Sequence, residues 1–193
     1  LFCSVVPKVM KVLKKFIKKN LLITCGELKN FNLSGFIKIL VNKKQIGSDR
    51  IANAIAVNDK KGNFIIVDFG TATTFDVIKN NSYIGGVIAP GINLSLKNLI
   101  KSASLIPNIS IKKESKIIGK NTIASVRSGF YWGYTGLINN IIKLIKKQTN
   151  ADFKIIFTGG LATFFKNSFS FKINVDKELT LKGVLKVLKG NLL

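Results

Sequence analysis

The chain has 193 residues, 47% of them hydrophobic, which is enough to bury a sizeable core and is consistent with one domain or two small ones. No apolar run approaches the roughly 20 residues of a membrane-crossing helix, and the opening LFCSVVPKVM has no basic leader before its apolar stretch, so the sequence reads as a soluble cytoplasmic protein without a secretory signal. The net charge of +22 invites a nucleic-acid partner, but only Arg50 and Arg127 are arginines and the lysines fall singly or in pairs on amphipathic segments, so a solvated lysine-rich surface is expected instead.

In chain order, residues 1–6 form an apolar run stopped by Pro7, expected as a strand, and 8–18 place Val9, Leu13, Phe16 and Ile17 at helical spacing. Residues 21–24 and 36–41 are expected as further strands and 49–57 as a helix. Residues 63–68, 71–79 and 82–88 predict an antiparallel meander with turns at Gly70 and at Asn80-Asn81. Helices are expected over 92–104, 122–148 and 179–188, and a strand over 153–157 closed by Thr158-Gly159-Gly160. Pro107 and Asn108 make 105–120 the expected loop, and no Pro-rich or Gly/Ser-rich linker divides the chain.

The absence of histidine leaves acid–base chemistry to carboxylate, lysine or tyrosine. Cys3 and Cys25 are too few and too far apart for a metal site or a disulfide framework and read as reduced core thiols. Asp59, Glu114, Asp152, Asp176 and Glu178 sit beside lysine or asparagine in polar stretches, as exposed ion pairs do. Asp68 is different: it ends the apolar strand Phe64-Ile65-Ile66-Val67 and is followed at once by a glycine turn, a place suited to a cation or phosphate.

In Gly70-Thr71-Ala72-Thr73-Thr74, glycine admits backbone N–H groups close to an anion and threonine hydroxyls can donate to phosphate oxygens. This turn joins strands rather than opening a helix, so it is not a P-loop; an ordinary Gly-Thr hairpin would look the same. Gly47-Ser48-Asp49-Arg50 precedes a helix. Either Ser48 or Asp49 is an N-cap beside an arginine, or Asp49 is the base for a substrate hydroxyl with Arg50 holding an anionic group. Gly85-Gly86-Val87-Ile88-Ala89-Pro90-Gly91 and Thr158-Gly159-Gly160-Leu161-Ala162 are expected as glycine turns joining a strand to a helix, able to bring backbone close to a ligand. Phe130-Tyr131-Trp132-Gly133-Tyr134 reads as packing, with a subunit interface as the other reading.

Taken in order, SVVP (4–7), GSDR (47–50), VDFGTATTFD (67–76), GGVIAPG (85–91), GKNT (119–122), SGFYWGYTG (128–136) and TGG (158–160) resemble type III pantothenate kinases over nearly the whole chain. The resemblance implies an α/β, actin-like (ribonuclease H-like) ATPase fold. Residues 1–60 would be the remainder of an incomplete first domain, and 61–193 a second domain of β-meander plus helices. It implies transfer of phosphate from ATP to pantothenate, the first step of coenzyme A biosynthesis, by a homodimer.

By the family pattern Asp49 accepts the proton, and Gly47, Ser48, Asp49, Arg50 and Thr122 contact pantothenate. Gly70, Thr71, Gly159 and Gly160 would meet ATP, Asp68 would hold a monovalent cation (K+ or NH4+), and Mg2+ would accompany the nucleotide. The resemblance departs at one point: the family's first phosphate loop, DxGNT on a strand–turn–strand before SVVP, stands nowhere in the sequence. The expectation is an N-terminally truncated chain, inactive alone. A non-kinase transcriptional regulator resembling Bvg accessory factor is the alternative, and the basic charge is its support. A sugar or acetate kinase would share the phosphate hairpin but would not explain GSDR together with GKNT.

Overall fold

The structure, a computed structural model, describes residues 1–3 and 7–191. Proline at the first helical position costs no hydrogen bond, and α1 (Pro7–Leu21) begins there and ends with Lys18 and Lys19 facing the negative end of its dipole. The apolar spacing that predicts this helix does not predict a buried face: Val9, Leu13 and Phe16 are 62%, 43% and 61% exposed. The strand expected over 21–24 is absent. Leu22 has a left-handed φ of 56°, which breaks an extended run, and the local pairing is instead an isolated parallel bridge between Phe2 and Glu27. Of the strand expected over 1–6, and of the motif SVVP, residues 4–6 lie outside the described residues.

Of residues 36–41 only β1 (Lys38–Ile39) pairs, parallel to β4, with Lys38 opposite Ser82 and Ile39 opposite Tyr83. After α2 (Ser48–Val57) come β2 (Phe64–Phe69), β3 (Ala72–Lys79) and β4 (Ser82–Pro90), the expected meander. Asn80 and Asn81 both take positive φ, 49° and 61°, the conformation a tight hairpin demands and asparagine tolerates. Then follow α3 (Ile92–Ser102), a long connection without helix or strand, α4 (Thr122–Thr149), β5 (Lys154–Gly159), α5 (Ala162–Phe165), β6 (Ile173–Val175) and α6 (Leu179–Gly190). The sheet order is β1-β4-β3-β2-β5-β6, with β5 and β6 parallel. In β2 every residue is buried except Asp68, which is half-buried. Among the described residues no helix is long and apolar enough to cross a membrane.

The chain forms two compact units. The first comprises Leu1–Ile66, Asp76–Gly86 and Asp176–Leu193. Its core is the packing of α2 on α6, where Ile51, Ala52, Ala54 and Ile55 are at most 1% exposed. Gly183 of α6 lies so close to α2 that a Cβ there would stand 1.9 Å from the Ala52 carbonyl oxygen. Thr180 donates to Asn53 (2.7 Å), and Lys186 donates to the carbonyls of Ile55 (3.0 Å) and Asn58 (2.9 Å). Lys186 thus satisfies orphan carbonyls at the end of α2, a different task from the solvated role expected of the lysines.

The second unit comprises Val67–Phe75 and Val87–Val175. Its aromatic core centres on Phe69, whose ring meets Phe157 edge-on at 5.1 Å and stacks with Phe165 at 5.4 Å. Tyr131 stacks on Phe165 at 6.1 Å and its hydroxyl lies 3.0 Å from Ser168, so the aromatic segment of α4 does pack, as expected.

Candidate active site

In the second unit, two glycine-bearing segments converge on the turn between β2 and β3. Gly91, at the start of α3, touches the turn so closely that a Cβ would lie 2.0 Å from the Thr71 carbonyl oxygen. Gly159, ending β5 with φ of +83°, presses on the strand end: its Cβ would lie 2.5 Å from Asp68 Oδ1 and 2.7 Å from both N and O of Phe69. Gly160 donates its N–H to the Phe69 carbonyl at 3.1 Å. Gly70, Thr71 and Gly160 remain exposed while Asp68 is half-buried.

Two expectations change here. Gly70 donates its own N–H to the Ala72 carbonyl at 3.0 Å, so that donor serves the turn, and a Cβ at Gly70 would meet nothing closer than 3.5 Å. The close backbone approach belongs to Gly91 and Gly159. Likewise Gly85 and Gly86 lie inside β4, not in a strand–helix turn, and Gly91 alone makes that junction.

Thr122 also belongs to this unit. It opens α4, capped by the Asn121 side chain, which accepts the Ala124 N–H at 2.9 Å. Gly119 packs against the same turn, its Cβ position 2.3 Å from the Ser125 nitrogen. Thr122 is exposed and lines a cleft of about 450 Å³ with Leu105, Pro107 and Arg127.

In the first unit, Gly47 is the N-cap of α2 and supplies no side chain, so the capping expected of Ser48 or Asp49 does not occur. The Ser48 hydroxyl, 1% exposed, donates instead to Glu27 Oε1 at 2.8 Å. Asp49 stands in the first helical turn, where the dipole favours a carboxylate, and its Oδ1 accepts the Arg50 N–H at 2.8 Å. Arg50 reaches across to β3, where its Nε donates to Asp76 Oδ1 at 2.7 Å. The Tyr83 hydroxyl donates to the same oxygen at 2.7 Å.

Asp76, fully buried, is the partner of Arg50, and no motif in the sequence singles it out. A signal existed: a carboxylate flanked by Phe75, Val77 and Ile78 in mid-strand requires a cation, and the chain has only two arginines. Burial pushes the Asp76 carboxyl up to about 6, although the Arg50 guanidinium and the Tyr83 hydrogen bond both pull it down. Burial, with the Asp76 charge beside it, raises Tyr83 so that its phenol stays protonated and donates. Cys3 is raised to about 12 by burial and by the carboxylates of Asp49 and Glu27. Both cysteines are half-buried and free.

A family model of type III pantothenate kinases matches residues 1–144. The type III pantothenate kinase of Pelagibacter ubique is 58% identical over 186 residues, 96% of this chain and 75% of that protein. The chain belongs to the type III pantothenate kinase family. The Paramagnetospirillum magneticum enzyme is 38% identical, covering 99% of this chain and 75% of its own length. That of Cereibacter sphaeroides (strain ATCC 17029 / ATH 2.4.9) is 44% identical over 76% of the chain, which spans 58% of that relative.

Among solved structures, a Campylobacter jejuni protein described as a Baf family transcriptional activator superposes with a TM-score of 0.65 at 27% identity, covering 94% of this chain and 79% of that one. A Sinorhizobium meliloti protein described as a 2-dehydro-3-deoxygalactonokinase shares the fold alone, with a TM-score of 0.56 at 11% identity over 75% of this chain and 59% of that one. The actin-like ATPase fold and the pantothenate kinase family are therefore as expected, and the kinase relatives do not favour the regulator alternative. Enzymes of this family phosphorylate pantothenate with ATP in coenzyme A biosynthesis.

At the hairpin, two oxygens, one of the Asp68 carboxylate and the Phe69 carbonyl, both border Gly159. That set suits a hard cation. Among the described residues no three His, Cys, Asp or Glu side chains gather as a metal cage. Magnesium commonly relies on one or two carboxylates plus substrate phosphates, so Asp68 beside the exposed Thr71 is compatible with a nucleotide-borne ion.

Proposed function

We propose that this chain carries the acceptor and nucleotide contacts of a pantothenate kinase, with Asp49 as the base that takes the proton of the pantothenate hydroxyl. Gly47, Ser48, Arg50 and Thr122 contact pantothenate; Gly70, Thr71, Gly159 and Gly160 meet ATP; Asp68 holds K+ or NH4+. Because Asp49 Oδ1 accepts the Arg50 N–H, Oδ2 is the oxygen left to receive the proton. Phosphoryl transfer depends on positioning and on neutralising charge more than on covalent chemistry, which a site of carboxylates, threonines and glycines can supply without histidine. Mg2+, when bound with ATP, would neutralise charge on the phosphate oxygens. The observation that carries this reading is the convergence of Gly91, Gly159 and Asp68 on the exposed Gly70–Thr71 turn.

We further propose a cytoplasmic homodimer. Its support is a small-residue stripe on α4: a Cβ built on Gly129, Gly133 or Gly136 meets no atom within 4 Å, and Trp132 beside them is 37% exposed. In chain order, residues 1–60 would be the remainder of a first actin-like domain and 61–193 a second, whose last helix α6 returns to pack on α2.

The test is ATP-dependent phosphorylation of pantothenate, read by ADP release and by the mass of the product, with glucose and acetate as competing acceptors. These 193 residues hold no DxGNT loop, so the assay uses the Pelagibacter ubique kinase with this chain in place of its matching segment. The 193-residue chain alone is the control, with little or no turnover expected. Pantothenate-selective turnover that Asp49→Asn lowers by ~10²–10⁴-fold supports the assignment. Turnover indifferent to the acceptor, or to Asp49→Asn, overturns it.

A further inference from the structure

A carboxylate in the middle of a buried strand is costly, and β3 carries one at Asp76, 0% exposed between Phe75 and Val77. Its two oxygens are treated differently. Oδ1 accepts both the Arg50 Nε–H and the Tyr83 O–H at 2.7 Å, while Oδ2 is buried without a hydrogen-bond partner among the described residues. A group kept only to stabilise the fold would be expected to satisfy both oxygens or to be replaced by an apolar side chain of similar size. What Asp76 does accomplish is local: it fixes a guanidinium whose side chain is only 14% exposed, one residue from Asp49.

A guanidinium carries five donors in a rigid fork, and the bond to Asp76 uses the single one on Nε. The Nη donors lie outside that bond, and a parallel pair of them matches the geometry of a planar anion. The pantothenate acceptor has one such group, its carboxylate, at the end remote from the hydroxyl that reacts. We propose that Asp76 is a positioning residue of the pantothenate site, which acts through Arg50 by orienting its guanidinium to receive the substrate carboxylate. Tyr83 completes the device as the second donor on Oδ1, which keeps that oxygen facing Arg50. This rests on the reading of Arg50 as a pantothenate contact.

The groups facing Asp76 are Arg50 and Asp49 from α2 and Tyr83 from β4. Protonation of Asp76 as pH falls through about 6 would remove the charge that holds the fork, so the clamp carries its own pH dependence.

Arg50 and Arg127 are the only arginines, so a 15N-arginine-labelled sample of the 193-residue chain gives two Nε–H signals, assigned with Arg127→Lys. In the wild type the Arg50 signal is expected to resist exchange with water. Asp76→Asn should remove that protection and weaken pantothenate binding, measured by calorimetry, about tenfold. Asp76→Glu should restore both in part. In an Arg50→Lys background Asp76→Asn should change affinity no further, and the wild-type loss of affinity below about pH 6 should be absent from Asp76→Asn.

Pantothenate affinity and pH profile unchanged in a folded Asp76→Asn overturn the role given to Asp76 and leave the reading of Arg50 standing. A protected Arg50 in a chain that binds no pantothenate overturns the reading of Arg50, and Asp76's role with it. Should Asp76→Asn not fold, Tyr83→Phe serves: it should loosen the Arg50 signal and weaken pantothenate severalfold, and no change in either sinks the proposal.

Discussion

Gly159 and Asp68 meet without room for a side chain: a Cβ on Gly159 would sit 2.5 Å from Asp68 Oδ1, and the backbone there has a φ of +83°. Gly159→Ala therefore combines a left-handed conformation, roughly 1–2 kcal/mol for a residue with a Cβ, with displacement of the carboxylate assigned to the cation. Gly35→Ala is the control, because a Cβ there would meet nothing within 4 Å. ATP affinity, measured by calorimetry with and without K+, should fall at least ~10-fold in Gly159→Ala and little in Gly35→Ala. Equal effects of the two would show that the approach of β5 to the hairpin has no part in nucleotide binding.

Gly183 plays the corresponding part between helices. Alanine is the better helix former by about 1 kcal/mol, yet the 1.9 Å separation of its Cβ from the Ala52 carbonyl oxygen would force α6 off α2. Overpacking of this kind costs roughly 1–3 kcal/mol, so the urea midpoint of Gly183→Ala should drop. A midpoint at or above the wild-type value would mean that the two helices can slide apart freely.

Local signals in the sequence reach as far as local structure does. The alternation over 63–88, the Asn80-Asn81 turn and the periodicity of α2, α3, α4 and α6 depend on neighbours a few residues apart, and the elements stand where those patterns put them. α5 and β6, with four and three residues, are too short to show a period. Residues 21–24 have the composition of a strand but no ladder to join, and the left-handed Leu22 ends the extension. The site follows the same division. GSDR and the hairpin are legible because each is contiguous, while the bonds that fix them span 21 residues from Glu27 to Ser48 and 26 from Arg50 to Asp76.

Asp76 should also mark the pH dependence of stability. Its folded carboxyl titrates at about 6 against an ordinary value of 3.8, so the folded chain binds the proton more tightly than the unfolded chain between those values. Stability from this group is therefore complete below 3.8 and is lost as pH rises through about 6. Asp76→Asn, which is never charged, should gain on the wild type by up to roughly 3 kcal/mol from acid to neutral pH, read as the difference in urea midpoints at matched pH. The sign is the useful part: acidity would stabilise the fold while loosening Arg50. A difference independent of pH would show that Asp76 titrates as an exposed aspartate does.

Cys3 gives an independent view of the same corner. Burial and the carboxylates of Asp49 and Glu27 raise its thiol to about 12, so at pH 8 almost none of it is thiolate, the form that reacts. Alkylation of Cys3 by iodoacetamide at pH 8 should run ~10³-fold slower than that of an unstructured cysteine. The two carboxylates contribute separately from burial, so Asp49→Asn and Glu27→Gln should each speed the reaction without exposing the sulfur. Peptide mapping after timed alkylation distinguishes Cys3 from Cys25. If Cys3 reacts in the folded chain as fast as in urea, its surroundings are neither apolar nor acidic, and the placement of Asp49 beside it fails with them.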